Sequence, residues 1–224
     1  MSRGSYSILV LAKAPAAGKV KTRLGVTIGD VQAAEVACAA LLDTLETCTA
    51  AVGADRCHLA LAGDLTGCVD EEAVREALSG WSVFRQRGDD FATRLAMAHE
   101  DSGPGPMVQI GMDTPHVTVA LLDAVAQGLS DSDAVLGPAE DGGWWVLGRH
   151  DPGTAAPLAS VEMSTTRTYD DTRAALVSVG HRVVATTPLV DVDTAEDADS
   201  VTAQIPGSRF AQAWRVARRA QTEE

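Results

Sequence analysis

The sequence predicts an α/β fold in which helices cover both faces of a mostly parallel central sheet, a three-layer α/β/α arrangement. The chain has 224 residues, of which 46% are hydrophobic, and this is enough to bury one substantial core. Short apolar runs typical of buried parallel strands recur along the chain, and stretches with helical periodicity separate most of them. We therefore expect residues 1–224 to form one domain, with residues 207–224 as a C-terminal helix packed on its outside.

The strands are predicted from short apolar runs bounded by glycine, proline or charged residues. Residues 5–12 are almost continuously apolar, which is typical of a strand buried on both faces, whereas residues 81–87 alternate apolar and polar side chains. In chain order, the predicted strands are residues 5–12, 56–62, 81–87, the first half of 107–115, 133–137, 144–149 and 182–187.

The helices are predicted from apolar side chains at helical spacing and from residues that favour helix starts. The stretch 29–52 has such spacing with Asp30 in its first turn, and Thr194 with Asp197 is a variant of the capping box. The predicted helices are residues 29–52, 70–78, 91–100, 119–129, 164–179, one beginning at Thr194, and an amphipathic basic helix at 210–219. The main loops are residues 13–24, 101–106, 138–143 and 151–157.

The charge of the chain excludes some classes of partner. Eighteen basic and 31 acidic residues give a net charge of -13, which is not the electrostatic footprint of a protein that binds nucleic acid or an anionic membrane. The first residues run straight into a predicted strand without a signal peptide or a membrane span, so we expect a cytoplasmic protein.

Asp113 is the first candidate metal ligand. It follows the apolar run that begins at Met107, and Pro115 ends the strand pattern before the helix at 119–129. Ligands of open α/β sheets bind outside the carboxyl ends of the strands, and no Lys or Arg between Gly103 and Gln127 could neutralise this acid. The alternative is an aspartate that caps the next helix or closes a turn.

A basic loop at residues 13–24 follows the first strand. Four of the chain's 18 basic residues fall within eleven positions there: Lys13, Lys19, Lys21 and Arg23. Small residues between them allow the backbone to approach a ligand closely, so amide and cationic groups can converge on phosphate oxygens. The loop matches neither the Walker A pattern nor the G-x-G-x-x-G turn, and a solvated basic turn is the alternative.

Further acids lie late in the chain. Asp191 and Asp193 project to the same side of an extended segment, and the loop at 138–143 carries Glu140 and Asp141 before two glycines. In a parallel sheet the basic loop, Asp113 and Asp193 gather at one edge. Because Mg²⁺ is usually held by one or two carboxylates together with phosphate oxygens, this combination predicts chemistry on a nucleoside phosphate with Mg²⁺ (or Mn²⁺) as cofactor.

Four motifs, taken together in this order, resemble those of the bacterial DUF2064 family. They are LAKAPAAGKVKTRL at residues 11–24, GMDTP at 111–115, GPAEDGGWW at 137–145 and DVDT at 191–194, and the resemblance runs from residue 8 to about residue 201. This family is similar to 2-phospho-L-lactate guanylyltransferase and molybdenum cofactor guanylyltransferase. The resemblance implies the GT-A, or nucleotide-diphospho-sugar transferase, fold.

The resemblance also implies roles for individual residues. Asp113 and Asp193 would bind the metal, and Lys21, Arg23 and Asp113 would be catalytic. The implied nucleotide-binding residues are Leu11, Ala12, Lys13, Ala14, Gly18, Lys19, Lys21 and Arg23. The implied acceptor-binding residues are Glu140, Asp141, Gly142, Gly143 and Ser164. Family members tend to carry an aromatic residue where Met163 precedes Ser164, so the acceptor side of this chain is expected to differ.

Three functions remain open from the sequence. The first is a nucleotidyltransferase that joins an NMP from an NTP to a small phosphorylated or phosphonate acceptor and releases pyrophosphate. The second is a glycosyltransferase with a nucleotide-sugar donor, for which Glu140 or Asp141 would be the candidate general base. The third is a non-catalytic nucleotide-binding protein. Four basic residues in the loop favour a triphosphate and hence the first function, whereas the oligomeric state stays open.

Overall fold

The computed structural model describes residues 6–222, which form a seven-stranded sheet between layers of helices. The strands are β1 (Ser7–Lys13), β2 (Cys57–Ala62), β3 (Ser82–Arg85), β4 (Met107–Ile110), β5 (Ala134–Pro138), β6 (Trp144–Arg149) and β7 (Val183–Ala185). The α-helices are α1 (Thr22–Ile28), α2 (Asp30–Val52), α3 (Glu71–Ala77), α4 (Phe91–Asp101), α5 (Val119–Gly128), α6 (Thr168–Ser178), α7 (Ala195–Gln204) and α8 (Arg209–Thr222).

The sheet has the strand order β3-β2-β1-β4-β6-β5-β7. All neighbouring pairs are parallel except those of β6, which runs antiparallel to both β4 and β5. The predicted mostly parallel, three-layer fold is therefore confirmed. The reversal of β6 follows from the short loop before it, because five residues can close a hairpin but cannot make a parallel crossover.

Two apolar clusters cover the two faces of the sheet. On one face α2, α3 and α5 pack through aliphatic side chains, and on the other α4, α6 and a 3₁₀ segment at Pro152–Ser160 do so. Strand β1 lies between these clusters with its five central residues buried, which explains its continuous apolar run. This central position places the loop that follows β1 in the middle of one sheet edge.

A third apolar cluster joins α1, α2, α7 and α8. Phe210 and Trp214 of α8 are each 1% exposed, and the carboxylate of Asp43 accepts hydrogen bonds from the backbone amides of Arg209 and Phe210. The amphipathic pattern at 210–219 thus buries its apolar face against other helices. No helix within residues 6–222 is both long and apolar enough to cross a membrane.

Three predicted boundaries were wrong. The basic loop ends at Lys21, because Thr22 already begins α1, and Arg23 and Leu24 belong to that helix. The predicted loop at 151–157 is mostly the 3₁₀ segment, which buries Ala155 and Leu158 under α4 and α6. The helix predicted from residue 164 begins only at Thr168, because Ser164 adopts a left-handed conformation that a right-handed helix cannot include.

Candidate functional site

A pocket of about 590 Å³ opens at the edge of the sheet where β1 and β4 end. Its lining comes from β1 and the loop after it, from β4 and the segment after it, from Gln86 and the start of α4, and, on the opposite side, from residues 141, 143–145, 163–165 and 168. Asp191 and Asp193 complete the wall from the segment that precedes α7. The basic loop, Asp113 and Asp193 therefore do come together, as the parallel topology led us to expect.

The loop between β1 and α1 is held by backbone hydrogen bonds to its neighbours. The Ala14 amide donates to the Ala62 carbonyl at 2.9 Å, and the Val69 amide donates to the Pro15 carbonyl at 3.0 Å. The loop then turns at Gly18, whose φ is 70°, and Lys21 adopts a left-handed conformation with φ 46° and ψ 43°. Such a conformation is unfavourable for a residue with a Cβ, and here it directs the Lys21 side chain back into the pocket.

Lys21 makes the densest set of polar contacts in the pocket. Its Nζ lies 2.5 Å from Asp113 Oδ1 and 3.1 Å from Asp193 Oδ1, and it also donates to the carbonyl oxygen of Val192. The Lys21 side chain is only 8% exposed, whereas the two carboxylates are 43% and 42% exposed. Burial lowers the pKa of Lys21, but the two carboxylates outweigh burial and hold that pKa above its usual value.

Asp113 and Asp193 lie close together because a backbone hydrogen bond connects their two segments. The Val192 amide donates to the Asp113 carbonyl at 2.9 Å, and the Val192 side chain is buried in the third apolar cluster. On the other side of Asp193, the predicted capping box is present: Thr194 accepts from the Asp197 amide, and Asp197 accepts from the Thr194 amide. Asp113 itself does not cap α5, because Thr118 does.

Asp191 is a third carboxyl group in this wall, one that the implied metal site did not include. Burial, and next the nearby carboxylate of Asp113, raise the pKa of Asp191 to about 8. The alternation of Asp191 and Asp193 in an extended segment already placed both on one side, and both line the pocket. The sequence signal was present, but nothing in the sequence ranked one aspartate above the other.

The opposite wall is a tight turn between β5 and β6. The Ala139 amide donates to the Gly143 carbonyl at 2.9 Å, and Asp141 Oδ1 accepts from the Gly143 amide at 2.8 Å. Gly142 has φ 90° and packs against the backbone of Thr166, so that a Cβ at this position would collide with the Thr166 carbonyl oxygen. This contact joins the turn to the segment that carries Ser164.

Most of the implied site residues line the pocket, and four do not. Ala14 is buried beneath the loop, Gly18 forms its bend, Glu140 is exposed outside the pocket, and Gly142 supports the turn from behind. The implied residues in the lining are Leu11, Ala12, Lys13, Lys19, Lys21, Arg23, Asp113, Asp141, Gly143, Ser164 and Asp193.

Several residues that line the pocket were not predicted from the sequence. Those that carry polar groups or large apolar surfaces are Gln86, Phe91, Arg94, Leu95, Gln109, Thr165 and Thr168. Phe91 and Arg94 occupy the first turn of α4, and Gln86 directly follows β3, so β3 ends and α4 begins at the sheet edge where β1 ends. The position of Gln86 after a strand was a usable signal, whereas Gln109 lies inside a strand whose four residues are all buried.

The two tryptophans of β6 have different environments. Trp145 is 2% exposed and donates through Nε1 to the Thr187 carbonyl at 2.9 Å, so it packs in the core. Trp144 is half-buried, and its Nε1 donates to the Thr172 hydroxyl at 3.1 Å. Met163, which stands where the resemblance implied an aromatic residue in other family members, also lines the pocket.

The donor set fits a hard divalent cation that is completed by its ligand. One ammonium group reaches Asp113 and Asp193 together, so the two carboxylates are close enough to share one cation. Within residues 6–222 no three His, Cys, Asp or Glu side chains form a ready-made metal site. Mg²⁺ suits this situation, because it needs only one or two carboxylates when phosphate oxygens and waters fill the remaining positions.

The sequence matches one family profile. The profile described as an uncharacterized protein conserved in bacteria (DUF2064) matches residues 44–165, which is more than half of the chain. No curated protein matches the sequence.

Solved structures share the fold over nearly the full chain. A protein from Desulfovibrio desulfuricans G20, named as a candidate nucleotide-diphospho-sugar transferase, is 26% identical, with 97% of this chain and 95% of that chain covered and a TM-score of 0.78. A cytidylyltransferase from Leptospira borgpetersenii is 15% identical, with coverage of 97% and 95% and a TM-score of 0.61. A 4-diphosphocytidyl-2C-methyl-D-erythritol synthase from Anaerococcus prevotii is 13% identical, with coverage of 90% and 99% and a TM-score of 0.58. The fold is therefore that of nucleotide-diphospho-sugar transferases.

Proposed function

This chain belongs to the DUF2064 family, and from that premise we propose that it is a transferase, specifically a metal-dependent nucleotidyltransferase. It would join an NMP from an NTP to a small phosphorylated or phosphonate acceptor. The observation that carries the proposal is the meeting of Lys21, Asp113 and Asp193 in one pocket with a loop of further cations. The fold shared with a cytidylyltransferase is in keeping with nucleotidyl transfer.

The charges of the pocket support a polyphosphate ligand. Five basic side chains line the pocket, and among these five only Lys21 forms ion pairs with two carboxylates. Lys13 and Lys19 are exposed and make no ion pair within residues 6–222, and Arg94 adds a cation from α4. These groups would offset the charge of the β- and γ-phosphates, which a triphosphate needs more than a diphosphate does.

The transfer needs positioning and charge stabilisation more than covalent help from the protein. An acceptor oxygen forms a bond to the α-phosphorus, the bond from that phosphorus to the bridging oxygen breaks, and pyrophosphate leaves with the electron pair. Asp113 and Asp193 would hold a divalent cation, which when bound neutralises phosphate oxygens and makes the phosphorus more electrophilic. Lys13, Lys19 and Arg23 would hold the leaving pyrophosphate, and Asp141 with Ser164 would face the acceptor.

A glycosyltransferase with a nucleotide-sugar donor is the second candidate. It is favoured by the likeness to the Desulfovibrio protein, whose name indicates a nucleotide-diphospho-sugar transferase. In that reaction a sugar carbon is the electrophile and a nucleoside diphosphate leaves, so a base near the acceptor is useful. Asp141 lines the pocket and would serve as that base, whereas Glu140 lies outside the pocket.

The test is release of pyrophosphate from each of the four NTPs, with Mg²⁺, with Mn²⁺ and with EDTA, against a panel of small phosphorylated acids and phosphonates. We expect metal-dependent release with one preferred NTP, lost in Asp113→Asn and retained in Asp131→Asn, an exposed acid outside the pocket. Thermal stabilisation by a nucleotide sugar, with no pyrophosphate from any NTP, would instead establish the second candidate. Nucleotide binding that ignores both metal and acceptor would indicate a non-catalytic nucleotide-binding protein.

A further inference from the structure

A row of buried polar side chains runs beneath the pocket. Gln109 lies on the face of β4 that α4 covers, and it is 2% exposed although it lines the pocket. His99 of α4 and Arg149 of β6 are each 0% exposed and lie on the same side of the sheet. Neither Gln109 Oε1 nor His99 Nε2 has a hydrogen-bond partner within residues 6–222. A buried side-chain amide that lacks hydrogen-bond partners is unfavourable, so the presence of Gln109 at this position needs a physical reason.

Arg149 determines how this row is oriented. Its Nε donates to His99 Nδ1 at 3.3 Å, and its two terminal nitrogens donate to Gly105 O at 2.6 Å and Ser102 Oγ at 2.9 Å. Because His99 Nδ1 accepts, the single proton of the neutral imidazole must lie on Nε2. Burial lowers the pKa of His99, and the Gln109 side chain is the polar neighbour that opposes this lowering. The Gln109 oxygen is therefore the atom that suits His99, and the amide NH₂ is left for the pocket.

The part of the pocket above Gln109 is suited to an uncharged ring. Leu11, Phe91 and Leu95 contribute apolar walls, and Gln86 adds a second amide. Gln86 Nε2 donates to the carbonyls of Ala12 and Ala60 at 3.1 and 2.9 Å, so its oxygen is the atom left to accept. Apolar walls with a few fixed donors and acceptors are typical of sites that recognise one ring system.

We infer that Gln109 is a specificity-determining residue: its amide NH₂, oriented by the His99–Arg149 pair, donates to an acceptor atom on the base of the bound nucleotide. The part of the pocket above Gln109 lies next to the end of β1, where the basic loop begins. A nucleotide with its phosphates in that loop would therefore place its base in this part of the pocket. The ligand satisfies the amide that the protein leaves unpaired. The inference rests on the nucleotide of the proposed function but not on the reaction that follows binding.

The test compares ligands with and without a base. Binding of ATP, CTP, GTP, UTP and inorganic tripolyphosphate is measured by calorimetry with Mg²⁺ for the wild type, Gln109→Met and Thr202→Val. Methionine keeps the length of glutamine and removes its donors. Thr202 is the matched control, because its Oγ1 is also buried and unpaired but lies on α7 outside the pocket.

We expect Gln109→Met to weaken the preferred nucleoside triphosphate about tenfold, in line with one lost hydrogen bond, and to leave tripolyphosphate binding unchanged. Thr202→Val should change neither. The inference is overturned if Gln109→Met binds the nucleotide like the wild type, if it loses tripolyphosphate equally, or if the wild type binds no NTP more tightly than tripolyphosphate. A tenfold loss without pyrophosphate release from any NTP upholds the inference and removes the proposed transfer.

A second measurement needs no variant. Analogues of the preferred nucleotide, each lacking one acceptor atom of the base, are titrated into the wild type. One analogue should bind about tenfold more weakly than its parent, and that atom identifies the partner of Gln109. If all analogues bind like the parent nucleotide, no donor reads the base and the inference fails, even where Gln109→Met does not fold.

Discussion

Lys21 and Asp113 form an ion pair of 2.5 Å across the pocket, and Asp193 shares the same ammonium group at 3.1 Å. The lysine thus occupies the position between the two carboxylates that a divalent cation would need. A cation and the ammonium group compete for the same oxygens, because each neutralises the same pair of charges. The nucleotide would resolve this competition, since its phosphates offer Lys21 a new anionic partner when the metal takes the aspartates.

Replacement of Lys21 tests this competition directly. In Lys21→Met we expect Mg²⁺ or Mn²⁺ to raise the thermal midpoint more than in the wild type, because the carboxylates no longer have an internal partner. Turnover should fall on the order of 100-fold, as when one preorganised donor is removed. Thermal unfolding with metal and with EDTA measures the first effect, and pyrophosphate release measures the second.

Arg23→Met is the matched control for this variant. Arg23 is 75% exposed and contacts Asp193 alone of the two acids, at 3.4 Å. Its loss should leave the metal-induced stabilisation close to that of the wild type. Equal stabilisation of Lys21→Met and the wild type would contradict the competition between lysine and metal.

The exposed lysines of the basic loop should act on substrate binding rather than folding. In Lys13→Ala and Lys19→Ala we expect an unchanged free energy of unfolding, because neither lysine has an ion-pair partner within residues 6–222. The KM for the NTP should rise several-fold in each, and its dependence on salt should weaken, since the lost attraction is screened by ions. Steady-state kinetics at low and high ionic strength measure this. Arg167→Ala, outside the pocket and paired with Asp171, should leave KM unchanged.

The capping box before α7 should matter for activity as well as stability. Thr194 accepts from the Asp197 amide at 3.2 Å, and Asp197 Oδ2 accepts from the amides of Asp193 and Thr194. Thr194→Ala should therefore lower the free energy of unfolding by about 1 kcal/mol and also loosen Asp193. Thr118→Ala removes an equivalent cap from α5 and should give a similar loss of stability without loss of turnover. Equal turnover in both variants would show that the cap does not position Asp193.

The sequence predicted that Asp113, Asp193 and the basic loop lie together, and strand direction explains why this prediction was possible. Parallel strands send their carboxyl ends to one edge, so residues that follow different strands meet without any detail of side-chain packing. The predicted role of Asp113 needed only its position after a buried strand. These parts of the site follow from strand order and direction alone.

Other features of the site depend on local conformation that the pattern does not encode. The inward direction of Lys21 follows from a left-handed backbone at a residue that is not glycine, which residue type alone would not predict. Gln109 is one of the four buried residues of β4. Its apolar neighbours in the sequence predict core packing and give no sign of a polar side chain in the pocket. The late start of α6 likewise follows from the left-handed Ser164.

The turn at residues 139–143 should depend on Gly142. Alanine there would need φ near 90° and would place its Cβ against the Thr166 carbonyl oxygen, so the turn and the Ser164 segment must separate. We expect Gly142→Ala to lower the free energy of unfolding by about 2 kcal/mol and to raise the KM for the acceptor more than that for the NTP. Gly153→Ala is the control, since nothing lies within 4 Å of a Cβ there. Chemical denaturation and kinetics with each substrate varied in turn measure the two effects, and a normal acceptor KM in a stably folded Gly142→Ala would contradict the role of the turn.

The buried His99 should make the stability of the protein dependent on pH. Burial, and then the charge of Arg149, lower the pKa of His99 from 6.5 to about 3, so the folded protein keeps this imidazole neutral at moderately acid pH. Below about pH 6.5 the imidazole of His99 binds a proton in the unfolded chain but stays neutral in the folded chain. The stabilising effect of a neutral His99 is therefore full above about pH 6.5 and is lost as the pH falls towards 3, by up to about 1.4 kcal/mol for each pH unit.

Urea denaturation at several pH values between 7.5 and 5 measures this slope. The pKa values of His58 and His116 are lowered too, so the wild-type slope contains their contributions. His99→Asn keeps an acceptor near Arg149 Nε but cannot take up this proton, and the difference between its slope and that of the wild type isolates His99. We expect His99→Asn to be less stable at pH 7.5 yet to lose less stability on acidification. Parallel slopes for the wild type and His99→Asn would mean that His99 is protonated in the fold, and the row that orients Gln109 would then need a different proton arrangement.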